Sequence, residues 1–221
     1  MFTNNEEFFS LWLYVDNRVL IPRNDTEILV STACKEIKNN DTTLIDVGTG
    51  SGCIAIAVLK NIKFKLPLSY CLDISNDALE VATINISYHH LDTEIFLTQS
   101  DLLEVFISWK YQIHTKNILF TANLPYIKDG DIQNIDPEVL KNEPHVALFW
   151  WKKTWFELYE KFIAQVQEIQ KRFEKNITIC IEIWFDQYEY SYEYLSHIWC
   201  NFEYYKDLNG IHRCIKITFH T

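Results

Sequence analysis

Short β-branched and aliphatic runs alternate along this chain with longer stretches whose apolar positions recur every three to four residues. Thr43–Val47, Leu68–Leu72, Glu94–Thr98, Ile118–Ala122 and Asn176–Ile183 predict strands, most of them apolar enough to be buried on both faces. Helices are predicted between them. One opens at Asn24, a candidate N-cap with Glu27 three residues on, and places Ile28, Leu29 and Ala33 at helical spacing. Others follow over Cys53–Leu59, Asp77–Ser87 and Gln187–Trp199. Between 154 and 173, Trp155, Leu158, Tyr159, Phe162, Ile163, Val166 and Ile169 form a helical stripe. Two apolar runs around Asp16-Asn17 predict an N-terminal hairpin of Leu11–Val15 with Arg18–Ile21. Phe202–Tyr205 and Cys214–Phe219, joined through Asp207-Leu208-Asn209-Gly210, predict a closing antiparallel pair. Asp129–Val139, with Pro137, is loop-like and leads towards Glu143-Pro144-His145. The fold class is therefore α/β: an open, mostly parallel sheet with an antiparallel edge strand, preceded by a short β-hairpin. No linker, repeat or low-complexity segment interrupts the 221 residues, which predicts one domain, with a hairpin segment over 1–23 and an α/β core over 24–221.

Loops at the ends of those strands carry the candidate chemistry. The run Ile118–Ala122 is stopped by Asn123-Leu124-Pro125-Tyr126, because proline cannot donate to a β-ladder. In an open α/β sheet such a loop lies at the edge where ligands bind. The Asn123 side-chain oxygen and the Leu124 carbonyl can accept both hydrogens of an NH₂ group, and Tyr126 can cover its flat face. The nitrogen lone pair is then aimed outward, at an electrophile. The alternative is an ordinary strand-to-loop turn. A second loop, Gly48-Thr49-Gly50-Ser51-Gly52, has a strand before it and a helix after it. In that context glycines let a ligand approach the backbone while the helix N-terminus favours negative charge. Asp73 follows the next strand, where an acid accepts from ribose hydroxyls or else caps the following helix. Asp101, after the third strand, is placed to accept from an adenine amino group or again to cap.

Composition narrows the partners. Hydrophobic content of 48% and charged content of 23% are ordinary for a globular protein. A net charge of −10 without a Lys/Arg cluster works against naked nucleic acid as a stable partner. The six cysteines show no CxxC or other metal spacing and sit mostly in apolar segments, which predicts reduced structural thiols, no metal and a cytoplasmic location. The N-terminus lacks a basic region followed by a long apolar core, and no apolar run approaches the ~18 residues that a membrane span needs.

With these residues in view, the chain is similar to the HemK-type glutamine methyltransferases, which methylate the glutamine amide of translation release factors. The resemblance is carried by Val19-Leu20-Ile21-Pro22-Arg23 with Thr26-Glu27, Asp46-Val47-Gly48-Thr49-Gly50-Ser51-Gly52-Cys53-Ile54-Ala55, and Asp73-Ile74-Ser75 with Ala78-Leu79. It continues through Asn123-Leu124-Pro125-Tyr126-Ile127, Glu143-Pro144 with Ala147-Leu148, Glu182-Ile183 with Asp186-Gln187, and Asp207-Leu208-Asn209-Gly210 with Arg213. The resemblance implies a seven-stranded class I methyltransferase fold that uses S-adenosylmethionine. Implied cofactor contacts are Asp46, Gly48, Thr49, Gly50, Gly52, Asp73, Ile74, Asp101, Leu102 and Asn123, and the implied catalytic set is Asn123, Leu124, Pro125 and Tyr126. The implied partner is a peptide chain release factor, with no stable nucleic acid and no membrane. Leu124 stands where the family usually has proline, a change expected to be tolerable because the carbonyl is the functional atom. The family's small helical domain precedes the hairpin, whereas this chain begins almost at the hairpin, so the protein substrate follows less directly than the chemistry. The alternatives are methylation of an adenine amino group in nucleic acid, which presents the same two N–H donors, and a cofactor-binding remnant without activity.

One feature of composition stands apart. The chain has five glycines, against a usual share of about 7%, and seven tryptophans. Against the family pattern, Trp150, Trp151, Trp155 and Trp184 fall where glycine is expected. Drift would scatter such losses among small residues; concentration in tryptophan predicts UGA codons that mean glycine in the source. The alternative is a genuine aromatic surface that docks a partner.

Overall fold

In a computed structural model of the protein, residues 4–108, 110–125, 144 and 156–219 are described. The chain opens with a hairpin, β1 (Asn5–Phe8) against β2 (Leu11–Tyr14). This corrects the expected pairing of Leu11–Val15 with Arg18–Ile21. The turn is Phe9-Ser10, whose φ angles of 50° and 60° match the primed turns that suit strand twist, and neither residue is a usual one for that turn. Arg18–Ile21 forms no strand, because Asp16 accepts from both the Arg18 backbone N–H and its guanidinium and from the Tyr14 hydroxyl. The hairpin is tied down by Asn85, whose amide accepts from Tyr14 N at 2.7 Å and donates to the carbonyls of Tyr14 and Ser51, both at 2.9 Å.

Asn24 is not the helix cap that was expected. Asn24–Thr26 forms a 3₁₀ turn ahead of α1 (Glu27–Glu36), and extended Arg23 precedes it without a side-chain capping bond. Glu27 does not close a capping box; its carboxylate accepts the Phe9 N–H at 3.1 Å. The main sheet follows: β3 (Thr42–Val47), α2 (Cys53–Asn61), β4 (Ser69–Asp73), α3 (Asn76–Tyr88), β5 (Ile95–Gln99), a short α4 (Glu104–Ile107) and β6 (Asn117–Ala122). Then come α5 (Glu157–Phe173), β7 (Asn176–Glu182), α6 (Tyr188–Ser196), β8 (Asn201–Lys206) and β9 (His212–Phe219). Helix α6 is shorter than the predicted Gln187–Trp199: it starts behind a 3₁₀ turn at Phe185–Gln187 and ends before Trp199, which is almost fully exposed. The loops expected over Asp129–Val139 and at Glu143 and His145 lie outside the described residues.

The seven strands run in the order β5-β4-β3-β6-β7-β9-β8. All neighbours are parallel except β9, which is antiparallel to both β7 and β8. Adjacent strand residues point to opposite faces, and the two cores divide accordingly. Leu44, Leu119 and Cys180 pack with α1, α2 and α3 on one face. Ile45, Phe120 and Ile179 pack with α4, α5 and α6 on the other. The α5 stripe is buried as its spacing predicts, at Leu158, Tyr159, Phe162, Ile163, Val166 and Ile169. All six cysteines are free, and Cys71, Cys180 and Cys214 are buried in the first core.

The chain lays β3, β4 and β5 outward in one direction and then returns to place β6 on the other side of β3. That reversal makes the C-terminal ends of β3 and β6 the crevice at which open α/β sheets bind ligands.

Candidate active site

Strand register assembles the site. Val47 pairs with both Leu72 and Ala122, and Ala122 pairs with Ile181. The next residue on each strand therefore falls into one row along the sheet edge: Asp73, Gly48, Asn123 and Glu182. The backbone N–H groups of Gly48 and Thr49 both donate to the Leu72 carbonyl, at 2.8 and 2.9 Å, which folds the glycine loop across the end of β4.

The glycines in that loop do different work. Gly50 has φ of +53° with open space where a Cβ would sit, so its backbone faces the crevice. Gly48 has φ of +69°, and a Cβ there would come within 2.9 Å of the Leu124 side chain, so the two loops pack directly on each other. Gly52 was expected to approach the cofactor. It is not among the residues lining the cavity, and a Cβ there would meet Ile56 and Ala82, where α2 packs on α3.

The cavity lining includes Gly48, Thr49, Gly50, Asp73, Ile74, Asp101, Leu102, Asn123, Leu124 and Pro125, which the sequence reading named as candidates. Asp73 Oδ2 accepts from Gly50 N and Oδ1 from Ser75 N, both at 2.9 Å, and burial raises its pKa above the ordinary carboxylate value. The cap of α3 is Ser75, whose hydroxyl accepts from Ala78 N, so Asp73 is not itself the cap. With backbone N–H donors from Gly50, Ser75 and Ile74, the carboxylate still keeps acceptor capacity for a ligand hydroxyl. Asp101 is half-exposed and ion-pairs with Lys161 at 2.6 Å on the rim. Asp46 is fully buried and not among the residues lining the cavity, accepting from Thr49 Oγ1 at 2.6 Å and Thr121 Oγ1 at 2.7 Å. Burial pushes its carboxyl up to about 6 against those two hydroxyls. Its task is to tie the glycine loop to β6.

At Asn123 the side-chain Nδ2 donates to Thr26 Oγ1 at 3.3 Å, while Oδ1 is buried with no hydrogen-bond partner among the described residues. An unmet buried acceptor of this kind carries a desolvation cost that an incoming N–H donor would relieve. The Leu124 N–H donates to the Tyr159 hydroxyl at 3.0 Å, and that hydroxyl donates to the Glu182 carbonyl at 2.5 Å. Leu124 thus contributes its amide and its side chain to the packing of the two loops. Tyr126 lies outside the described residues.

Sequence reasoning had not placed Arg18, Val19, Leu20, Pro22, Arg23 and Thr26 in a site; they roof the cavity from the segment after the hairpin. Glu182 and Tyr159 lie behind the Asn123–Leu124 loop, and Thr26, which also lines the cavity, meets the Asn123 amide. The available signal was a buried strand, β7, ending on an acid, the same pattern that marked Asp73. Glu182 is nearly fully buried, and burial pushes its carboxyl up to about 7, against the Thr26 hydroxyl and the Arg213 guanidinium. Among the described residues no cluster of His, Cys, Asp and Glu is arranged to hold a metal, and no helix is long and apolar enough to cross a membrane.

A family model for ribosomal protein L11 methyltransferase matches residues 25–125. The chain is 40% identical over 143 residues to the release factor glutamine methyltransferase of Streptococcus pneumoniae, covering 65% of this chain and 47% of that protein. It is 35% identical over 219 residues to the protein of the same name from Clostridium botulinum, covering 95% of this chain and 71% of that one. The N-terminal domain of human METTL16, solved in complex with SAH, superposes with a TM-score of 0.62 at 12% identity, covering 96% of this chain and 77% of that one, a likeness of fold alone. The chain spans about half the length of some curated relatives it matches and about seven tenths of others.

Proposed function

The chain belongs to the release factor glutamine methyltransferases, and on that premise we propose that it transfers a methyl group from S-adenosylmethionine to the side-chain amide nitrogen of a glutamine in a peptide chain release factor. The observation that carries this reading is the buried, unpartnered Oδ1 of Asn123 in a cavity shared with Gly50 and Asp73. The wall suits the cofactor's parts: Asp73 presents carboxylate lone pairs to ribose hydroxyls, Gly50 bares its backbone, and Ile74 and Leu102 offer apolar contact beside an adenine ring. When bound, S-adenosylmethionine supplies an electrophilic methyl group on a sulfonium.

The protein's part is to prepare the nucleophile. An amide nitrogen is weakly nucleophilic because its lone pair is delocalised into the carbonyl. Asn123 Oδ1 accepts one substrate N–H and the Leu124 carbonyl accepts the other, which localises the lone pair and supports the positive charge that develops on nitrogen. With the cofactor held by the Asp73 and Gly50 wall, its sulfonium would supply the methyl group and leave as the neutral thioether, and the clamped amide nitrogen would lose one N–H proton to solvent afterwards. No general base is required before the transfer. Pro125 follows β6 and keeps the two acceptors at the strand's edge.

The test is to incubate the protein with methyl-labelled S-adenosylmethionine and, separately, a release factor, a ribosomal protein and nucleic acid. Label on a glutamine of the release factor is expected. Asn123→Ala should lower turnover about 10²–10³-fold while calorimetric affinity for the cofactor stays near that of the parent. Label on adenine, or full turnover in Asn123→Ala, would overturn the reading.

A further inference from the structure

We propose that Glu182 and Thr26 are positioning residues that decide which end of the Asn123 amide faces the cavity; this rests on the amide-clamp reading above. The two ends of an asparagine side chain are nearly the same size, but only the oxygen can accept a substrate N–H. Rotation by 180° would present NH₂ to the incoming NH₂ and abolish the clamp. Something behind Asn123 must therefore prefer its donor end.

The polarity of the layer behind supplies that preference. Asn123 Nδ2 donates to Thr26 Oγ1 at 3.3 Å, and Thr26 is itself buried. The Thr26 hydroxyl and the Asn123 side-chain amide, both hydrogen-bond donors facing Glu182, each lower its carboxyl against the effect of burial. An ionised carboxylate only accepts, so Glu182 favours donors in this layer: the N–H end of Asn123, which also meets Thr26 Oγ1, and the Thr26 O–H. Oδ1 is left buried and unpartnered. Glu182 Oε2 is also buried and without a partner among the described residues, so the carboxylate is an unsaturated acceptor aimed into this layer. Arg213 does not claim it by contact: its guanidinium is held by Asp25 at 2.9 Å and Asp207 at 3.2 Å and lies over the Trp184 ring.

Protonation changes the sign of this device. A neutral Glu182 can donate, Thr26 can then turn, and the amide loses its orientation. Asp25 before α1 raises the Glu182 carboxyl, Arg213 on β9 lowers it, and the Cys214 and Cys53 thiols on β9 and α2 face it in their neutral forms. Burial outweighs these and sets the transition at about 7.

Glu182→Gln, close to isosteric, is the test, with the full chain, S-adenosylmethionine and a release factor. A kcat reduced at least tenfold is expected, with the cofactor's dissociation constant and the KM for the release factor changed less than threefold. The parent's kcat should fall below a pH of about 7, and that limb should be absent in Glu182→Gln. Thr26→Val should behave like Glu182→Gln, and Thr26→Ser, which keeps the hydroxyl, should restore what Thr26→Val loses. A readout independent of turnover is the ¹⁵N-resolved side-chain NH₂ pair of Asn123, which should titrate with Glu182 and shift in Glu182→Gln. An unshifted pair, or an unchanged kcat and acidic limb in Glu182→Gln, overturns the proposal even where release-factor methylation is demonstrated. A shifted pair in a protein that methylates no glutamine upholds the positioning and overturns the function reading instead.

Discussion

The backbone N–H of Leu124 donates to the phenol of Tyr159 at 3.0 Å, although 35 residues separate them. The same hydroxyl donates to the Glu182 carbonyl at 2.5 Å, so one side chain from α5 ties the clamp loop to the end of β7. Tyr159 is 1% exposed and Leu124 3%, so neither group can exchange this bond for water.

Tyr159→Phe should therefore cost about 1–3 kcal/mol, the penalty for leaving a buried N–H unpaired. Leu124→Pro removes the donor itself and the side chain that packs on Gly48, so it should also destabilise by about 1 kcal/mol or more rather than being neutral. Urea unfolding measures both, and a Tyr159→Phe midpoint equal to the parent's would remove the bond from the account.

Asp73→Ala should weaken S-adenosylmethionine by roughly 1.5–3 kcal/mol through loss of charge-assisted hydrogen bonds to ribose. Alanine also strips the acceptor from Gly50 N–H and Ser75 N–H. Asp73→Asn keeps one acceptor oxygen and should recover part of the stability but little of the affinity. Calorimetric titration with both variants decides it; unchanged affinity would show that the carboxylate does not contact the ligand.

Stability should fall with rising pH on account of Glu182. Its folded pKa of about 7 lies above the ordinary value of 4.5. Below 4.5 both states carry the proton; between 4.5 and about 7 the unfolded chain ionises first, and stability declines across that window. The full decline is on the order of 3 kcal/mol, and Asp46, raised to about 6 from 3.8, adds a decline of the same sign at lower pH. Glu182→Gln should flatten the upper part of the profile. Unfolding curves at pH 5 and 8 for parent and variant check it, and equal slopes would count against the burial argument.

Tryptic peptides of the protein isolated from its natural source should carry glycine at 150, 151, 155 and 184 if UGA is decoded as glycine there. Trp150, Trp151 and Trp155 lie outside the described residues. Trp184 holds φ of −79°, open to every residue, with its ring beneath Arg213 at 4.8 Å, so the codon and not the backbone discriminates. Mass spectra showing tryptophan at all four positions, or UGG codons there, would end the idea.

Local pattern carried most of the fold. Five parallel strands, the α5 stripe and the glycine loop were legible because burial imposes a period on residues close in sequence, and because a strand that ends in Gly, Asp or Asn-x-Pro announces its edge. The N-terminal hairpin was misplaced because its left-handed turn is made by Phe9 and Ser10, which carry no turn signature. What sequence alone could not decide was which edge residues meet. Thr26, Asn123, Tyr159 and Glu182 come from four separate segments, and their contact depends on β6 lying between β3 and β7 in one register. Pairing of that kind is set by the competition of whole strands for a shared core, a tertiary quantity. The residues around Asn123 in sequence suggest an amide clamp, but what its donor end meets, Thr26, lies 97 residues away and only the tertiary fold brings it there.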